Sequence, residues 1–229
     1  MADKATPLGA GSADWKAGVL LLITAVALAW FWHSPLLYPL RILVVLFHEL
    51  GHATVAVITG GEVLEIGLGS NEGGHCMTRG GWSFLILNGG YLGSLVAGLA
   101  ILAVSRSRSA SRGLVVSLGL LVLGVTLALV RPVVGFGMVY GMLTGLALVA
   151  LGTKAPAGVN WWFLRLVGVF SVLYALLDVR DDVFRNADYV GASDATMLAE
   201  LTHVPAFVWG GGWILAGVAL LVLLRKRLV

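Results

Sequence analysis

Charge is what this sequence has least of. Of its 229 residues only 12% are Asp, Glu, Lys or Arg, against about 25% in a soluble globular domain. So little polar surface cannot cover a globule in water, which excludes an ordinary soluble fold. Cysteine is nearly absent as well: Cys76 stands alone, so no internal disulfide can form and cysteine usage says nothing about redox compartment. The first 14 residues, Met1 to Asp14, lack the basic start and short apolar core of a cleaved signal peptide, and the first apolar run is expected to stay as a membrane helix. The net charge is +3 and the pI about 9.2. The basic residues nevertheless sit in short clusters between or after apolar runs, as topology signals do, and none of the usual nucleic-acid motifs is present. No nucleic-acid partner is expected.

What is there is hydrocarbon: 59% of the residues are hydrophobic and the mean hydropathy is +0.94. The apolar residues fall into runs of about 20, the length that crosses a bilayer core. Spans are expected at 16–32, 36–59, 84–104, 113–130, 133–152, 161–179 and 206–224. Trp15, Trp30, Trp32, Tyr38, Trp161, Trp162, Trp209 and Trp213 gather near their ends, where amphipathic rings settle at the headgroups. Residues 60–82 do not read as a span. Gly60-Gly61, a strand-like Val63 to Leu68, the polar turn 70–74 and His75 to Arg79 give the pattern of a β-hairpin. The fold class is therefore an all-α polytopic membrane protein, with about seven transmembrane helices and a membrane-associated β-hairpin after the second. Gly89, Gly93 and Ala97 in the third span, and Gly137, Gly141 and Gly145 in the fifth, form small-residue faces for close helix packing.

Arg106, Arg108 and Arg112, then Lys154, then Arg225, Lys226 and Arg227 fall on one side of a seven-span chain, expected to be cytoplasmic. The acid-rich stretch from Asp178 to Glu200 falls on the other side, and Asp178 to Pro205 reads as a long polar loop. The expected setting is the lipid bilayer of a prokaryotic plasma membrane.

The chemistry concentrates in the second span, at His48-Glu49-Leu50-Gly51-His52. Histidines four residues apart stack on one helix face. Two imidazoles so placed can bind one zinc ion, and the adjacent Glu49 can serve as general base towards a water on it. Apolar residues flank the motif on both sides (Leu43 to Phe47 and Ala53 to Ile58). An acid and two histidines inside hydrocarbon need a compensating partner, and a metal supplies one.

A catalytic zinc takes a third protein ligand and keeps an open position. Asp178 is the candidate, because it closes the apolar run Val167 to Leu177 and falls on the same side as the end of the second span. Asp181 and Asp182 are its alternatives, His75 in the hairpin is conceivable, and His33 falls at the wrong side.

At these residues the chain resembles the site-2 protease family, peptidase family M50, and in particular its small M50B-like members. The resemblance covers His48 to His52, the Thr59-Gly60-Gly61 junction, Gly90-Tyr91-Leu92-Gly93-Ser94, Leu177-Asp178 and Ser193-Asp194-Ala195. It implies an intramembrane zinc metalloprotease: Zn2+ as cofactor, Glu49 as catalytic base, His48, His52 and Asp178 as metal ligands, and a transmembrane protein as substrate. The chain then reads as one integral membrane domain over 1–229, with a polar tail at 1–15, a catalytic core at 36–179, a polar loop at 180–205 and a last helix with basic tail at 206–229. Two other classes compete. A catalytically silent scaffold or chaperone would have no use for Glu49, and a metal transporter often shows internal repeats, of which none is evident here.

Overall fold

The computed structural model describes residues 10–105, 107–180 and 193–228. Helix α1 (Ala10–Trp30) leads through a 3-10 turn (Pro35–Leu37) into α2 (Tyr38–Ile58). A proline in the first turn of α2 removes no intrahelical bond, because the first amides of a helix have no partner inside it. Strands β1 (Glu62–Leu68) and β2 (Gly74–Arg79) follow as an antiparallel pair, then α3 (Ser83–Val104), α4 (Ser111–Leu129), α5 (Phe136–Lys154), α6 (Ala157–Arg180), the short α7 (Asp194–Thr202) and α8 (Ala206–Leu228).

By length and composition, six helical segments can cross a membrane: Pro35–Ile58, Ser83–Val104, Ser111–Leu129, Phe136–Lys154, Ala157–Arg180 and Ala206–Leu224. Helix α1 adds an apolar stretch over Gly18–Trp30. The protein is a multi-pass integral membrane protein, and the later six spans end within about a helical turn of where hydropathy puts them. The hairpin forms where Gly60 to Trp82 suggests one. The stretch from Asp178 to Pro205 differs from expectation, since within that polar loop sits α7, a nine-residue helix. Short and broken from the spans by polar residues, it carries too little periodic signal to stand out.

The spans are not equivalent. In the α2, α3 and α6 spans 67%, 50% and 61% of the apolar window is buried inside the protein, but in the α4, α5 and α8 spans only 22%, 28% and 17%. Helices α2, α3 and α6 thus form the interior, and the others turn most of their side chains outward, as lipid-facing helices do. The interior helices meet backbone to backbone. A β-carbon at Gly51 would collide with the Gly89 carbonyl, and Gly93 lies against the Gly51 Cα. On the other face of α3, Ser171 Oγ of α6 donates to the Ser94 carbonyl at 2.7 Å.

The hairpin runs back along α2. Its base lies at the end of that helix, where Gly61 N donates to the Ala56 carbonyl. Its tip reaches the start, where Tyr38 Oη donates to the Ser70 carbonyl at 2.8 Å. The outer edge of β1 is taken by the α4–α5 connection, through a bridge of Ile66 to Val130 and an Arg131 N bond to the Ile66 carbonyl at 2.9 Å. Among the described residues no strand pairs with the outer edge of β2.

Candidate metal centre

Helical spacing brings His48 and His52 onto one face of α2, and both rings are buried. Their Nε2 atoms stand 3.1 Å apart. His52 Nδ1 lies 2.7 Å from the Ile86 carbonyl. A carbonyl can only accept, so the proton sits on Nδ1 and the Nε2 lone pair is free for a ligand. The Tyr91 and His48 rings pack edge to face, with centroids 4.7 Å apart and planes at 83°. Gly90 makes the space, because a β-carbon there would fall on the imidazoles of both histidines. The second motif of the sequence, Gly90-Tyr91, is therefore the wall of the first.

The third vertex comes from α7. Asp194 Oδ2 lies 3.1 Å from His48 Nε2 and 3.2 Å from His52 Nε2. Three ligand atoms at about 2.0–2.1 Å from a tetrahedral zinc sit roughly 3.3 Å from one another, so the triangle has the size a zinc ion requires. Asp194 Oδ2 is buried beside the two imidazole nitrogens, where an ion held between the three atoms would meet its charge. His48, His52 and Asp194 form the only such group of possible ligands among the described residues.

Local sequence explains why Asp194 arrives there. Ser193 caps α7 by accepting from Thr196 N, and an acid in the first helical turn suits the helix dipole. Ala195 and Leu198, both fully buried, anchor α7 against Tyr91, Val179 and Trp213. Past the helix, His203 takes the left-handed C-cap position and is exposed.

Asp178, expected as the third ligand, is not in that group. It sits near the end of α6 at the wall of the same cavity, where Tyr91 Oη donates to its carboxylate at 3.4 Å. The α3–α6 packing that puts Ser171 on Ser94 also brings Asp178 beside Tyr91. Of these two aspartates, Asp194 is the one whose carboxylate stands with both histidines. The alternatives Asp181 and Asp182 lie outside the described residues. His33 is exposed in the α1–α2 turn, and His75 is exposed on β2, 3.5 Å from Glu65. A signal for Asp194 did exist, in Ser193-Asp194-Ala195: a capping serine with an acid next to it, at the end of an otherwise polar loop.

Glu49, buried on α2 beside His48, faces a cavity of about 480 Å³. The two histidines, Asp178, Asp194, Tyr91 and Tyr174 line it, together with β2 residues Gly74, His75, Cys76 and Thr78. The backbone of β2 passes so close that a β-carbon on Gly74 would overlap a Glu49 carboxylate oxygen. Acid, ligand triangle and strand edge thus share one space.

The Peptidase M50B-like family model matches residues 21–224. The chain belongs to that family. Every element of the site falls inside the matched span, including α7 of this M50B-like protein. No curated protein and no solved structure is similar enough to match.

Proposed function

We propose that this M50B-like protein is a zinc-dependent endopeptidase that hydrolyses peptide bonds in or near transmembrane segments of membrane proteins. The observation that carries it is the triangle of His48 Nε2, His52 Nε2 and Asp194 Oδ2 with Glu49 beside it, in a cavity buried among membrane helices. His48, His52 and Asp194 would hold the ion, which supplies a Lewis acid for the scissile carbonyl and lowers the pKa of water to about 7.

The remaining work falls to side chains and backbone. The Glu49 carboxylate accepts the proton of the attacking water and returns it to the leaving nitrogen. A helical substrate has to unwind before its carbonyl is accessible, and in lipid its freed amides need partners. The outer edge of β2 supplies them, by pairing with the unwound segment as an added strand. Because Gly74 starts that edge beside Glu49, a segment laid along β2 passes the base. The interior helices keep lipid from the cavity, and its polar lining admits water.

Glu49→Gln tests the proposal. The change preserves shape and leaves all three ligand atoms in place. Zinc content is expected to be unchanged while cleavage of a helical test substrate falls by about 10²-fold or more. Uncleaved membrane protein should accumulate on the variant in cells. If wild-type protein cleaves nothing and no membrane protein accumulates on Glu49→Gln, a binding scaffold replaces the enzyme.

A further inference from the structure

Arg41 lies within the span Pro35–Ile58 and is buried. A guanidinium at that depth needs partners, and it has several. Its Nε donates to Glu72 Oε2 at 2.7 Å and its Nη2 to Glu72 Oε1 at 2.8 Å, a two-point pair. Nη1 donates to the carbonyls of Trp32 and Ser34, so Arg41 also ties down the chain that enters α2.

The other half of the pair carries an independent sign of purpose. Glu72 adopts φ 68°, in the left-handed region where glycine or asparagine rests more easily. Asn71 precedes it and Gly73 and Gly74 follow, yet the residue that takes the strained position is the glutamate. Its backbone gains nothing from that choice. Its carboxylate gains Arg41.

Two residues further on, Gly74 lies against Glu49 and Val45. The chain from Glu72 to Gly74 is too short to absorb a displacement. Wherever the tip is fastened, the start of the β2 edge is fixed beside Glu49. We propose, building on the peptidase function above, that the Arg41–Glu72 pair is a latch that seats the hairpin tip on the start of α2 and thereby sets the register of the β2 edge against Glu49. Arg41 and Glu72 are positioning residues for the incoming substrate strand, and neither takes part in proton transfer.

The chain supplies its own probe. Cys76, the single cysteine, sits half-buried on β2, and burial together with the nearby Glu49 charge pushes its thiol up to about 12. A seated hairpin therefore alkylates slowly. The experiment compares full-length wild type, Glu72→Gln and Glu72→Gly in detergent micelles. Glu72→Gly relieves the left-handed backbone while removing the carboxylate, so loss of the latch is separated from loss of folding. N-ethylmaleimide is expected to modify Cys76 about tenfold faster in both variants, with zinc content unchanged. On a helical test substrate kcat should fall about tenfold with KM near wild type, because a segment still held but misplaced against Glu49 reacts slowly. Unchanged Cys76 alkylation in both variants overturns the latch. Faster alkylation with unchanged kcat overturns its positioning role. A wild-type protein that cleaves nothing sinks the peptidase proposal instead, and the Cys76 rates still decide whether the latch exists.

Discussion

A single vertex decides what the metal centre can hold. Removing either imidazole leaves two ligands, and zinc content is expected to collapse in His48→Ala and His52→Ala when metal is measured on purified protein. The two aspartates separate more sharply. Asp194→Ala should lose zinc, because Oδ2 is the third point of the triangle. Asp178→Asn should keep it and alter only the cavity wall around Tyr91. Zinc lost from Asp178→Asn and retained in Asp194→Ala would reverse the assignment. Gly90→Ala should behave like a ligand mutation although it touches no metal, since its methyl group occupies the space of both imidazoles. The histidine pair was legible in the sequence because helical spacing alone places it. The place of Asp194 beside that pair was not, since it depends on how a short helix docks, and Asp178 offered a simpler signal at the end of an apolar run.

At the scale of elements, the spans and the hairpin could be read from hydropathy, glycine and alternation, because each is set by local pattern. Helix α7 could not, having only nine residues and a fold-dependent anchor. That anchor makes a prediction. Leu198 is fully buried against Tyr91 and Trp213, whereas Leu201 on the same helix is half exposed. Truncating a packed leucine costs about 2–5 kcal/mol in well-packed sites. Leu198→Ala is therefore expected to loosen α7 and release zinc to a chelator faster than wild type, with Leu201→Ala close to wild type. Equal release rates for the two variants would show that α7 does not hold Asp194 in place.

The whole molecule is polar from end to end in its charge. Ser111 Oγ donates to the Ala157 carbonyl, and Arg112 to the Gly152 and Thr153 carbonyls. The α3–α4 and α5–α6 connections, with Arg108, Arg112 and Lys154, therefore share one end. Helix α8 runs antiparallel to α6, with Gly217 beside Leu176, so Arg225-Lys226-Arg227 points to that end too. Along α6, Ala157 and Asp178 are separated by about 30 Å at 1.5 Å per residue, which puts the metal centre towards the opposite face. Basic connections stay in the cytoplasm. With Cys76 replaced by serine, a cysteine at Ser107 should resist an impermeant thiol reagent in intact cells and react after permeabilisation. Ready labelling from outside would invert the topology.

The closed outer edge of β1 has one more consequence. With Val130 and Arg131 bonded at the middle of β1, the edge left for a further strand among the described residues is that of β2. In an antiparallel ladder, alternate residues of an edge strand turn their amide and carbonyl outward. A strand added there, as the proposed function requires, would be bonded at every second backbone position and left free at the ones between. Methylating its nitrogens at the gripped positions should abolish capture, while methylating the intervening ones should leave it intact. The molecule would measure its targets in steps of two, reading spacing before it reads side chains.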